Sequence, residues 1–136
     1  MPTPTTADVR WLSDEEQQAW RGFIGGARRL FERLDADLKA HGLTHDDYSV
    51  LVALSEAPDR RLRMAELADQ AVESRSRLTH HISRLEQRGL VERATCPTDR
   101  RGSFAVLTDE GTATMAAVAP HHVDGVRRYL LDHLSP

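Results

Sequence analysis

Residues 64–107 read MAELADQAVESRSRLTHHISRLEQRGLVERATCPTDRRGSFAVL, and the order of patterns in this stretch decides the fold. Met64-Ala65-Glu66-Leu67-Ala68 is a short run of good helix formers. A few residues later Ser74 has the form of an N-cap, and Leu78, Ile82 and Leu85 follow at a spacing that keeps them on one face of a helix. Gly89 ends that helix, because glycine accepts the left-handed conformation just beyond a helix end. Residues 90–94 and 103–107 then read as two strands. The Pro/Asp/Arg/Gly segment between them is too long for a tight turn. Short helix, turn, second helix and β-hairpin together make a helix-turn-helix with a wing.

What the second helix leaves uncovered carries the functional reading. With Leu78, Ile82 and Leu85 turned inward, a rotation of about 100° per residue places Ser76, His80, Ser83 and Gln87 opposite the core. Arg77, Thr79 and Arg84 flank that face, and Ser74 and Arg75 open the helix. These hydrogen-bonding and cationic side chains suit base edges and phosphates in a major groove. An ordinary solvated helix would show Glu/Lys pairs four apart, and this one shows almost none. Ser74, Arg75, Ser76, Arg77, Thr79, His80, Ser83 and Arg84 are therefore the candidate major-groove set. His81 lies nearer the core and reads as a packed, satisfied residue. At the ribbon tip, Arg100 and Arg101 suit the negative potential of a minor groove. Asp99 suits the role of orienting an arginine, since a bare carboxylate is repelled by phosphate.

Working outward, Met1 to Thr6 is a Pro/Thr-rich arm, and residues 1–12 are expected to be flexible. Ser13-Asp14-Glu15-Glu16 has the form of a capping box that starts a long amphipathic helix. Trp20, Phe23, Ile24, Ala27, Phe31, Leu34 and Leu38 supply its stripe, and Gly42 stops it. Gly25-Gly26 within it allows either a bend or the close approach of another helix. Thr44 starts a second helix carrying Tyr48, Leu51, Val52 and Leu54, with Pro58 past its end. Thr108 caps a last long helix with Asp109 and Glu110 in its first turn, where the dipole favours acids. Pro120 is expected to kink or break that helix. The expected architecture is mainly α with a small β-hairpin wing. Residues 13–136 form one unit, with a winged core at about 44–108 and flanking helices at about 13–41 and 109–136.

Composition limits the alternatives. The 136 residues suffice for one core, 40% are hydrophobic and 29% charged, and aromatics are scarce at 5%. No apolar run approaches the roughly 18 residues of a membrane helix, and the first dozen residues lack a signal-peptide pattern. A cytoplasmic protein with no membrane partner is expected. The net charge of −3 argues against a nucleic-acid partner, but its distribution argues for one. Residues 60–101 hold ten arginines and six acids, a net +4, against −7 for the remainder. Only Lys39 is a lysine, and the arginine fork suits phosphate and guanine edges.

The same residues resemble a known family. The run 98–111, TDRRGSFAVLTDEG, contains Asp99-x-Arg101, a strand, and Leu107-Thr108-x-x-Gly111. It follows Leu85-Glu86-x-x-Gly89-Leu90-Val91-x-Arg93, and His41-Gly42-Leu43 to Tyr48 and Leu51-x-x-Leu54 also fit. Together these resemble the signature of MarR-type regulators, in order along nearly the whole chain. The resemblance implies a homodimer on a short palindromic duplex, usually a repressor released by a small phenolic or aromatic-acid ligand. It further implies that helix 75–88 reads the major groove, that Arg101 enters the minor groove, and that the first and last helices dimerise. The family's ligand pocket lies between those helices and the DNA-binding lobe, where Trp20, Phe23, His45 and Tyr48 are candidate lining residues. The same aromatics at helical spacing also read simply as core. One departure concerns the end of the chain. The family usually adds a further helix, and Ser135-Pro136 has only the form of a helix start.

Other classes find less support. Cys96, the single cysteine, cannot form an internal disulfide and names no redox partner. His41, His45, His121 and His122 lack clustered metal-ligand spacing. His121-His122-x-Asp124-Gly125 is one residue short of an acyltransferase motif, and no nucleophile set or phosphate loop is present. No catalytic residue, cofactor or metal is expected. A redox- or metal-responsive regulator of this fold, or a module that binds only protein, are the alternatives.

Overall fold

The computed structural model describes residues 1–96 and 99–134, with the side chains of residues 96 and 99–101 also outside the description. Capping boxes start the first two helices, the one at Ser13 as expected. In α1 (Asp14–Lys39) the Ser13 hydroxyl accepts from the Glu16 N–H at 3.2 Å, and the Glu16 carboxylate accepts from the Ser13 N–H at 2.8 Å. In α2 (His45–Glu56) Thr44 and Asp47 exchange the same pair of bonds at 3.0 and 2.9 Å. A short 3-10 turn leads into β1 (Arg61–Arg63), followed by α3 (Met64–Ala71), α4 (Arg75–Gln87), β2 (Val91–Cys96), β3 (Asp99–Leu107) and α5 (Asp109–Tyr129). Gly42 and Gly89 hold φ of 82° and 75° where α1 and α4 end, the role the sequence assigns them.

The three strands form an antiparallel sheet in the order β1-β3-β2. Leu62, Val91, Ala105 and Leu107 face the helices and join Leu51, Leu54, Leu67, Leu78, Ile82 and Leu85 in one core. The Leu107-Thr108-x-x-Gly111 motif has a packing cause. The Thr108 hydroxyl accepts from the Gly111 N–H at 2.9 Å and donates to the Gly89 carbonyl at 2.6 Å. A side chain at Gly111 would collide with the Leu90 carbonyl and with Leu107, so only glycine lets α5 start against the end of α4.

The structure corrects the sequence reading at several points. Pro120 neither breaks nor ends α5, which runs through it. Pro120 and Ala116 both lie on the exposed face, so the carbonyl that loses its N–H partner can be hydrated. β1 was not expected, being too short for a periodic signal; its pairing with β3 creates it. The two hairpin strands also extend further than residues 90–94 and 103–107. Thr95 pairs with Ser103 and Cys96 with Asp99, leaving 100–102 as the excess on the β3 side and only residues 97 and 98 between the strands. The Arg/Gly composition of 99–102 suggested a loop, yet it carries strand backbone.

Only the C-terminal part of the α1 stripe is buried within the chain. Leu34 and Leu38 pack inward, whereas Trp20, Phe23 and Phe31 are 57%, 68% and 52% exposed. α1 passes unbroken through Gly25-Gly26, and among the described residues nothing outside the helix's own backbone approaches within 4 Å of where their side chains would be. Among the described residues, no helix is long and apolar enough to cross a membrane.

Candidate nucleic-acid interface

α4 is fixed from behind. Leu78, Ile82 and Leu85 are at most 1% exposed, and Ser74 caps the helix by accepting from the Arg77 N–H at 3.1 Å. His81, equally buried, lies 2.6 Å from an Asp47 oxygen through Nε2 and 3.3 Å from Glu73 through Nδ1. The hydrogen bond to Asp47 raises the His81 pKa above its ordinary value, assisted by the charge of Glu73 and opposed by burial. Burial alone would raise the Asp47 carboxyl, but bonds from His81 and from Thr44 outweigh it and hold the pKa low. Arg88 adds a contact to Asp47 at 3.7 Å, and Arg77 reaches Asp46 at 3.5 Å. The first turn of α2 therefore holds α4 through consecutive carboxylates.

The front of α4 faces solvent. Arg75, Ser76, Arg77, Thr79, His80 and Arg84 are exposed, as is the capping Ser74. Ser83 is half-buried, and its hydroxyl donates to the Thr79 carbonyl while accepting from Arg93. Arg93 also donates to the Thr79 carbonyl at 2.8 Å and lies 3.6 Å from Glu86. This arginine, absent from the sequence's candidate set, ties β2 of the wing to α4. Arg61 and Arg63 were also missed. They alternate about buried Leu62, and both guanidinium groups lie over the Phe104 ring, at 4.8 and 5.7 Å from its centre. Their alternation around a leucine was the available signal, weak in a three-residue strand. Asp99, Arg100 and Arg101 belong to β3, but the positions of their side chains lie outside the described residues.

The candidate ligand residues divide. His45 and Tyr48 line one cleft of about 340 Å³ with Val52, Gln70 and His122. The His122 ring centre is 4.4 Å from that of Tyr48 and 6.0 Å from that of His45. Its buried Nδ1 has no hydrogen-bond partner among the described residues, and burial, then the charge of His45, lower its pKa. Trp20 instead lines a groove with Trp11 and Leu12, and Phe23 an apolar groove with Leu30, Phe31 and Leu130. His41 stacks on His121 at 4.3 Å, but among the described residues no group of three or more His, Cys, Asp or Glu is arranged to hold a metal.

Known proteins place this arrangement. The family model described as MarR family matches residues 41–102. HosA, a transcriptional regulator of Escherichia coli O111:H-, is 36% identical over 95 residues, covering 68% of this chain and 69% of HosA. The chain belongs to the MarR family. The curated relatives it matches are transcriptional regulators, and it spans about two thirds of their length. Two MarR-family regulators of Streptomyces coelicolor share the fold closely. AbsC is 51% identical with a TM-score of 0.90, over 94% of this chain and 86% of its own. Sco3205, solved in complex with DNA, is 50% identical with a TM-score of 0.91, over 94% of this chain and 81% of its own. The MarR match starts before α2 and ends within β3, so it spans both the helix-turn-helix and the wing.

Proposed function

We propose that this chain binds duplex DNA as a homodimer and represses transcription, with α4 in the major groove and the wing beside it. The observation that carries the reading is the two-sided character of α4. Its rear is locked by Leu78, Ile82, Leu85 and the Asp47–His81–Glu73 bridge, while its front offers Arg75, Ser76, Arg77, Thr79, His80 and Arg84 to a partner. A helix held this rigidly and left this bare suits direct reading of base edges. Ser74 and Ser83 serve mainly to shape the helix. Asp99, Arg100 and Arg101 complete the site at the wing, with Arg101 in the minor groove. That Sco3205, 50% identical to this chain, was solved in complex with DNA supports DNA as the partner.

The homodimer follows from the apolar stripe of α1. Trp20, Phe23 and Phe31, with Leu130 and Leu134 near the other end of the chain, are exposed in one copy and need cover. A second copy related by two-fold symmetry would set two α4 helices about 34 Å apart, one duplex turn. A small aromatic acid is the proposed effector, taken up beside His45, Tyr48 and His122. NadR, a solved protein 26% identical to this chain, is in complex with 4-hydroxyphenylacetate. The cytoplasm is the proposed location, and no catalytic role is proposed.

Titration against duplex DNA at several salt concentrations tests the reading. The expected result is an affinity falling with a log–log slope of about −0.9 per neutralised phosphate. A salt-independent response, or none, would leave a module that binds only protein.

A further inference from the structure

A cleft of about 400 Å³ lies between the start of α3, the first turns of α4 and β3, lined by Arg63, Arg75, Thr79, Arg93 and by Gly102 and Ser103. Three arginines from three elements converge on it. Arg93 is held by two 2.8 Å bonds to α4, and Arg63 lies over the Phe104 ring, so neither has to be ordered when a ligand arrives. Among the described residues the carboxylate close to this trio is Glu86, on Arg93, whereas Arg63 and Arg75 form no ion pair. Preorganised guanidinium forks facing a polar cleft suit a phosphate oxyanion.

We infer that this cleft seats one phosphodiester of the DNA backbone, and that Arg63 and Arg75 bind it. The inference rests on the duplex reading above and adds a contact to it. The position is dictated by the shape of a duplex. One sugar–phosphate strand separates a major groove from the adjacent minor groove. A protein with α4 in the first and its wing in the second must straddle that strand. The cleft is where it must pass: Arg75 and Thr79 of α4 form one wall, and Gly102 and Ser103, at the base of the wing, form the other. Arg75 thereby moves from reading bases to positioning the backbone, a contact that carries no sequence information. Half-buried Gly102 and Ser103 keep that wall low, leaving room for the phosphate and its sugar.

The test uses a mixed-sequence duplex and the full chain, with Arg63→Gln and Arg75→Gln as variants. Each is expected to weaken binding about a hundredfold, about tenfold for the charge-assisted bond lost in each protomer of the dimer. Each should also flatten the salt slope by up to about 1.8, the value for one phosphate per protomer of the dimer. A duplex with single neutral methylphosphonates, scanned along one strand, gives a second readout. One position should weaken the parent and leave Arg63→Gln unaffected. Unchanged affinity and slope in both variants, with the parent still binding, would overturn the phosphate seat and leave the duplex reading intact. So would an Arg63→Gln protein that reorders base preference at constant slope. If inorganic phosphate at fixed ionic strength stabilises the parent but not Arg63→Gln, while duplex binding is equal, the cleft is a free-anion site and the inference fails. A parent that binds no duplex defeats both readings together.

Discussion

Replacing His81 with leucine removes the one group that serves two buried carboxylates. The imidazole meets Asp47 at 2.6 Å and Glu73 at 3.3 Å, and all three side chains are at least nine-tenths buried. Breaking a buried charged pair from one side costs about 3–5 kcal/mol, because the remaining charge is left unpaired. Asp47 keeps its bond from the Thr44 N–H and a 3.7 Å contact with Arg88, which points to the lower end of that range, about 3 kcal/mol. The parent's pH dependence isolates the electrostatic part. His81 is raised in the folded state above 6.5, so its contribution is fully present below 6.5 and is lost as pH climbs through the raised folded value. Within that window stability should fall by up to about 1.4 kcal/mol per pH unit, the slope for one proton. His122 acts with the opposite sign: its lowered pKa gives stability present above 6.5 and lost on acidification. Urea denaturation followed by far-UV circular dichroism, at steps from about pH 4.5 to pH 9, measures both. His81→Gln keeps the volume without the titration and should be flat above neutrality. A parent whose stability stays constant or rises through that window would refute the reading of His81 as a charged bridge.

Three further outcomes follow from packing. Val72 ends α3 in the left-handed region at φ 55° and is 90% exposed, so Val72→Gly should raise the urea midpoint, gaining up to about 1 kcal/mol. Gly111→Ala forces a methyl into the Leu90 carbonyl and to 2.7 Å from Leu107, and thermal melting should register a loss of about 3 kcal/mol. Phe23→Glu places a charge in the exposed apolar groove of α1; sedimentation should report monomers and DNA affinity should drop, while circular dichroism keeps its helical signal.

The elements legible in the sequence are those whose signals are local. Ser13, Thr44, Ser74 and Thr108 all cap helices as their spacing indicates, and Leu78, Ile82 and Leu85 bury the face they were assigned. What stayed hidden depends on partners distant along the chain. β1 exists because Arg61–Arg63 pairs with 104–106, and the wing strands lengthen because their register continues past the point where composition suggests a loop. Arg93 stood in the sequence only as part of the family signature, and its role shows once β2 places it against the Thr79 carbonyl and Ser83. His45 and Tyr48 were grouped with Trp20 and Phe23 as lining of the family's pocket, yet the structure puts only His45 and Tyr48 in one cleft, while Trp20 and Phe23 line two other grooves further along α1.

The acidic net charge misleads for a related reason. A count gives every carboxylate the same weight, whereas the structure gives each a direction. Glu73 is turned inward to His81, Glu86 is drawn to Arg93, and Asp47 is buried between His81 and Arg88. Glu86 is also the one acid in α4, so the outward face of that helix carries Arg75, Arg77 and Arg84 with Asp46 as the neighbouring counter-charge, 3.5 Å from Arg77 and 58% exposed. The carboxylates thus act mainly as the scaffold that aims the arginines. A chain of net −3 can in this way present a positive face, because field at a surface depends on which charges reach it and falls off within about 10 Å in salt.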